Sequence, residues 1–101
     1  RARSAMILRE RETDEGLLVS VCDDDVLGET FENGDVSLTV TEEFYGGEQV
    51  DAAAVVDSLS RAAVANIVGT EAVALAIEEG FVDEANVLDL DTTRHAQFLR
   101  M

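Results

Sequence analysis

Lysine and proline are absent from this 101-residue chain, cysteine and histidine occur once each, and aromatic residues make up only 5%. Each absence removes a class of chemistry. A glycine-rich phosphate cradle sets a lysine on the phosphates at a helix start, and there is no lysine to do so. The one cysteine, Cys22, cannot form an internal disulfide framework and fits a reducing compartment. Cys22 and His95 together fall short of the three or four ligands of a zinc centre, so no metal and no cofactor are expected. No apolar run approaches the roughly 18 residues of a membrane helix, and no signal-peptide-like apolar stretch occurs. No membrane partner and a cytoplasmic location are the corresponding expectations. Without proline, low-complexity tracts or internal repeats, nothing divides the chain into separate units.

Negative charge is what the chain has in excess. Twenty-two aspartates and glutamates face seven arginines, for a formal net charge of −15 and a pI near 4.1. Such a surface repels itself in dilute buffer and weakens the compact state. In molar salt the Debye length falls to about 3 Å, and the same surface becomes a hydrated, soluble coat. Lysine would add a long apolar stem beside each charge, so its absence fits a halophilic, acidic surface. The composition reads as the cytoplasm of a salt-accumulating microbe, with potassium-rich solvent needed for stability.

Apolar residues reach 47%, which separates the chain from disordered acidic tails. The length suits one domain near the lower end of comfortable stability. Arg1–Ala5 holds two arginines and no acid before Met6 opens a strand-like run. This segment is read as a non-native or disordered extension, with Met6 as the natural start and residues 6–101 as the domain.

Met6–Glu12 and Leu17–Cys22 read as strands joined through Thr13-Asp14-Glu15-Gly16, a hairpin. Asp23–Gly28 reads as one capped helical turn, opened by an aspartate and closed by Gly28. Asn33-Gly34 marks a second tight turn. After it Val36, Leu38 and Val40 alternate with polar residues at the period of a half-buried strand. Glu42–Val50 reads as irregular. Asp51 is expected to cap a helix over Ala52–Ala65, with Val55, Leu59 and Ala62 on one face and Asn66 on the same stripe if the helix continues. Thr70 is expected to cap a second helix, Glu71–Glu79, ended by a left-handed Gly80 with Phe81 folding back. Strands near Asn86–Leu90 and His95–Met101 close the chain. The fold class predicted is α+β: a mainly antiparallel sheet with two central helices packed on one face, a two-layer single domain.

Candidate functional residues are few. Tyr45-Gly46-Gly47 permits close backbone approach beside a stacking ring and a hydroxyl, although Glu48 next to it would repel phosphate. A sharp bend holding a packed tyrosine competes with a ligand loop there. Asn66 reads as a helix C-cap or a buried amide tying the two helices. His95 and Gln97 alternate on one face of the last strand and point the same way. Cys22 could pair with His95 as a nucleophile only if the fold brought them together; a small buried hydrophobe is the simpler reading. Asp23-Asp24-Asp25 could gather a hard cation, but it lacks a calcium-loop spacing. No catalytic residue is assigned.

The strings Cys22-Asp23, Leu27-Gly28, Phe44-Tyr45-Gly46-Gly47, Ala65-Asn66-Ile67-Val68-Gly69 and His95-Ala96-Gln97, in this order, carry a resemblance. The chain from Met6 to Met101 resembles the archaeal domain-of-unknown-function family 424, in its haloarchaeal form. Arg94 departs from the proline often found before that histidine, which bears on the local turn. The resemblance implies a small α+β archaeal protein of translation-associated gene neighbourhoods, with no assigned catalytic residues. The function expected is a non-enzymatic binding module for RNA or a ribonucleoprotein. The alternatives are a small-molecule enzyme using Tyr45, His95 and Gln97 around the glycine loop, and a protein–protein adaptor.

The charge imbalance makes a direct prediction. The thermal midpoint, followed by far-UV circular dichroism, should rise steadily from about 0.05 to 3 M potassium chloride as screening becomes complete. A flat midpoint would remove the halophile reading.

Overall fold

Alternating apolar residues place the first two strands, and the turn chemistry between them sets their register. In the computed structural model, which describes residues 5–100, β1 (Met6–Thr13) and β2 (Gly16–Asp23) pair antiparallel from Met6↔Asp23 to Thr13↔Gly16. The Thr13 hydroxyl closes the turn, donating to the Gly16 carbonyl at 2.7 Å and accepting from the Glu15 amide at 3.2 Å. The predicted extension at Arg1–Ala5 falls mostly outside the described residues; Ala5 is described, and its carbonyl accepts from the Asp24 amide at 3.3 Å.

A second hairpin, β3 (Thr30–Asn33) with β4 (Val36–Thr39), turns at Gly34. There follow α1 (Glu42–Tyr45), β5 (Glu48–Val50), α2 (Ala52–Arg61), β6 (Val64–Val68), α3 (Thr70–Glu78), a 3-10 turn over Glu84–Asn86, β7 (Leu88–Leu90) and β8 (Thr93–Leu99). Six of the strands form one sheet in the order β5-β1-β2-β6-β8-β7, in which every neighbouring pair is antiparallel except β2 with β6. The class predicted from sequence is the one observed. No helix among the described residues is long and apolar enough to cross a membrane.

The two faces of the sheet are covered differently. Met6, Val19, Val21, Ala65, Ile67 and Ala96 point to one face and pack with Val55 and Leu59 of α2 and Val73 and Ala76 of α3. Full burial of a side chain such as Leu59 or Ile67 is worth about 1.5–3 kcal/mol. On the other face, Ile7, Cys22, Val68 and Leu90 lie under Val26, Phe31, Val40 and Tyr45. The second hairpin and the four-residue α1 therefore cover one end of this face, which is free of the longer helices α2 and α3, and leave the rest of it open.

Five local expectations are corrected. The helix predicted over Ala52–Ala65 stops at Arg61: Ala62 is extended (φ −74°, ψ 138°) and the Ala63 amide donates to Leu17 at 2.8 Å. Val64, Ile67 and Val68 are better placed in a central strand than in a helix, and pairing with β2 and β8 overrides the helical tendency of the alanines. Asn66 is consequently neither a helix C-cap nor an inter-helix amide but the middle residue of β6. Glu42–Val50 is not irregular throughout, because Thr41 caps α1 by accepting from the Phe44 amide at 3.2 Å and β5 then pairs with β1. Thr70 is the first residue of α3 rather than its cap, and Asp23 does not open a helical turn of its own. It ends β2 and serves α3 instead, accepting from the amides of Glu71 at 3.0 Å and Ala72 at 2.8 Å. The far end of α3 is as predicted. Gly80 is left-handed (φ +81°), its amide donates to Ile77 at 3.0 Å and that of Phe81 to Ala76 at 2.9 Å, a Schellman pair.

Gly69 (φ +122°) lies against this clasp, and a Cβ there would collide with the Asp23 carboxylate. Asp23→Ala should cost about 1–3 kcal/mol by orphaning two helix amides. Gly69→Ala should cost more than Gly28→Ala in urea denaturation. At Gly28 (φ +88°) a Cβ meets open space, so only the left-handed backbone penalty of about 1–2 kcal/mol applies. Equal losses at the two glycines would contradict the clasp.

Candidate functional site: the open sheet face

Residues paired across neighbouring strands point to the same face, so the register assigns the helix-free face position by position. One row runs Arg9, Ser20, Asn66, Gln97 across β1, β2, β6 and β8. The row toward the covered end is Gln49, Ile7, Cys22, Val68, His95 and Leu88. The row on the other side is Arg11, Leu18, Val64 and Leu99. None of these positions is a carboxylate. Every acid within the six strands (Glu10, Glu12, Asp23, Glu48 and Asp89) takes the opposite parity, toward the helices. In a chain of net charge −15, this face is set apart by charge.

Its cationic side is held by α1. Arg9 donates to the Gly46 carbonyl at 3.3 Å, Arg11 donates to the Glu43 carbonyl, and the Arg11 guanidinium stands 5.0 Å from the centre of the Phe44 ring. Both arginines are only partly exposed. Ser20 is fully buried among them, and its hydroxyl has no hydrogen-bond partner among the described residues. Leu99, 64% exposed, ends the apolar row.

The predicted site residues separate into two groups. Asn66 and Gln97 are direct cross-strand partners, and His95 shares their face one row away. Tyr45, Gly46 and Gly47 lie beside β1, three strands from β8 and so about 14 Å across the sheet. The ring of Tyr45 is buried in edge-to-face contact with Phe44 at 4.9 Å, and burial pushes its hydroxyl pKa up to about 12. The glycines answer to backbone crowding: a Cβ at Gly46 would strike the Glu42 carbonyl, and one at Gly47 the Leu8 carbonyl. They also line a groove of about 590 Å³ with Glu10, Glu48, Asp57 and Arg61. Arg9 lines it as well, and Arg61 pairs there with Glu10 at 2.8 Å and Asp57 at 3.1 Å. Hydrogen bonds from Ser58 and then Arg61 hold the Glu10 carboxyl below its usual range.

Nucleophilic chemistry finds no support in this arrangement. Val68 stands between Cys22 and His95 in their row, placing them two strands and about 10 Å apart. Desolvation, followed by the adjoining Asp23 carboxylate, pushes the Cys22 thiol up to about 12, so it stays protonated and inert at neutral pH. Among the described residues no three histidine, cysteine or acidic groups are placed to hold a metal. The open face can donate and accept hydrogen bonds through Asn66, Gln97 and the arginines, which is the equipment of recognition. Sequence reasoning missed Arg9, Arg11 and Ser20. The signal was the strict alternation of Arg9 and Arg11 with Leu8, Glu10 and Glu12.

The chain belongs to the family described as "Protein of unknown function (DUF424)", whose model matches residues 10–101. None of the curated proteins matches it. Among solved structures it is similar to "Crystal structure of an uncharacterized conserved protein from Methanopyrus kandleri", with a TM-score of 0.78 and 20% identity over 97% of this chain and 95% of that one. At that identity the likeness shows a shared fold.

Burial lowers the pKa of His95 below its ordinary value of 6.5. The unfolded chain therefore takes up its proton first as pH falls. The stability associated with neutral His95 is full above about pH 6.5 and is lost as pH drops from there toward the folded-state pKa. In molar salt, where the surrounding acids are screened, the NMR titration midpoint of His95 should lie below 6.5. His95→Gln should flatten the slope of stability just below that pH. A midpoint at or above the ordinary value would contradict the burial assigned to this ring.

Proposed function

We propose that this DUF424 member is a non-enzymatic binding module of the archaeal cytoplasm, translation-associated, that docks on the RNA of a ribonucleoprotein through its open sheet face. The observation that carries this reading is that every carboxylate of the six-stranded sheet points away from that face while Arg9 and Arg11 are turned toward it. RNA affinity comes largely from phosphate contacts. Molar salt screens the longer-range field, so the effect is one of contact: a sheet face without its own carboxylates spares phosphates the repulsion they would meet elsewhere on the surface. Asn66 and Gln97 supply paired amides suited to base edges and ribose hydroxyls. The aromatic rings are all buried or half-buried, so recognition relies on hydrogen bonds and guanidinium contacts rather than on a stacking platform.

A protein–protein adaptor is the second reading, favoured by the apolar row of Leu18, Val64 and the exposed Leu99. Pull-downs in molar potassium chloride, with and without ribonuclease, separate the two. Arg9→Glu combined with Gln97→Glu places acids on the face and should weaken RNA capture by at least about tenfold, while Leu99→Ser leaves it near wild type. Capture that survives ribonuclease and is lost in Leu99→Ser would replace RNA by a protein partner.

A further inference from the structure

β8 is longer than the strand beside it, and β7 covers its outer edge only from Thr93 to His95. The bonds of β8 to its other neighbour fix which residues look outward past that point. The Gly69 amide donates to the Arg94 carbonyl at 2.9 Å, and the Arg100 amide donates to the Ala63 carbonyl at 2.7 Å. Bonded and non-bonded pairs alternate along an antiparallel ladder. Ala96 and Phe98 therefore also bond to β6, while Gln97 and Leu99 turn their N–H and C=O groups outward. Neither has a backbone partner on that side among the described residues. Native sheets protect free edges with charge, and the opposite edge has Glu48 on β5 and Glu10 and Glu12 where β1 runs beyond it. Gln97, Phe98 and Leu99 carry no charge, in a chain with 22 acids. Leu99 is 64% exposed. A cavity of about 270 Å³ lies against Val64, Gln97, Phe98 and Leu99, and one of about 190 Å³ is lined by Gln97 and Phe98 with Phe81, Asp83 and Asn86.

We propose that this edge pairs with the same edge of a second copy, joining two six-stranded sheets across a two-fold axis. The edge is self-complementary. With the axis at Phe98, Gln97 of each copy lies opposite Leu99 of the other, and each such pair exchanges two backbone hydrogen bonds. The outward groups of both copies are satisfied together. The same register sets the two Phe98 rings side by side on the helix face, a favourable cross-strand pair. It sets Leu99 of one copy beside Gln97 of the other, against the larger cavity. Arg100 of one copy falls across from Ala96 of the other, on the side where Asp83 lines the smaller cavity, so Asp83 faces a cation there. Charge selects the occupant's approach: two chains of net charge −15 repel each other over most of their surfaces, and this edge brings them together without setting carboxylates opposite one another. A contact of this size makes a transient dimer rather than an obligate one. It forms whether or not the open face holds RNA.

Sedimentation equilibrium of ribonuclease-treated protein tests this, at chain concentrations from about 10 µM to 1 mM in about 3 M potassium chloride. The 10.9 kDa chain should associate reversibly to a dimer. Association should weaken as salt is lowered over the range in which the fold is intact, because unscreened acids oppose it. In hydrogen exchange followed by NMR, the amides of Gln97 and Leu99 should slow about tenfold from the dilute to the concentrated end, while that of Phe98 is slow throughout. Leu99→Pro removes an outward N–H and no bond within the sheet, so it should melt within a few degrees of wild type and remain monomeric. If Leu99→Pro does not fold, Leu99→Asp decides: it leaves the backbone intact and should weaken association at least about tenfold. A chain that is monomeric at every concentration, or a dimer that these variants leave intact, would overturn the proposal. In the monomeric case, loss of a captured polypeptide in Leu99→Pro would assign the edge to a strand of another protein.

Discussion

The Asp23 carboxylate holds the start of α3 from 48 and 49 residues away, and much of the architecture follows from that clasp. Helix N-termini carry orphan amides and a partial positive charge. Here both are answered by the last residue of β2 rather than by a residue of the α3 segment itself. The bond joins the end of β2 to the residues just after β6, and the two strands run parallel beside each other. It also seats α3 on the helix face and demands a glycine at position 69. With β6 in the centre, β8 can pair along its far edge, which brings Asn66 opposite Gln97.

Charge is sorted by the same frame. A sheet in a chain this acidic must place its strand carboxylates on one side or the other, and here all of them share a side with the helices. Some are absorbed there by specific partners. Glu10 receives the Ser58 hydroxyl and Arg61, and Asp89 receives Arg94. Exposed pairs of this kind are each worth little, so their main consequence is the composition of the opposite face. That face keeps two arginines, three amides (Gln49, Asn66 and Gln97) and an imidazole, with the apolar row of Leu18, Val64 and Leu99 beside them.

Much of the fold was legible because local chemistry and tertiary packing agreed. The first hairpin, the Gly34 turn, the Asp51 cap and the Gly80–Phe81 helix end are stated by the residues themselves, and the structure has each of them. The break between α2 and β6 was not legible. Ala62-Ala63-Val64-Ala65 continues a helical spacing, and only pairing with strands distant in sequence makes it extended. The Asp23 clasp was hidden for the same reason, since a cap is sought next to its helix. His95 and Gln97 share a face, as their alternation in the sequence indicates, and Asn66 reached the same face only because it left the helix expected of it. Tyr45 and the glycines read either as a bend holding a packed tyrosine or as a ligand loop, and their surroundings show the crowding and burial of the bend. Arg9 and Arg11 were plain in the alternation of β1, but they gain meaning only once the parity of every other strand is known.

The central claim is that the helix-free sheet face is where this protein meets its partner. Hydrogen–deuterium exchange of the protein bound to ribonucleoprotein particles, compared with the free protein in the same molar salt, tests it most directly. Docking on that face predicts new protection in the peptides of β1, β2, β6 and β8 and in α1, which borders them, with α2 and α3 unchanged. Protection confined to α2 and α3, with the sheet peptides exchanging as in the free protein, would contradict it.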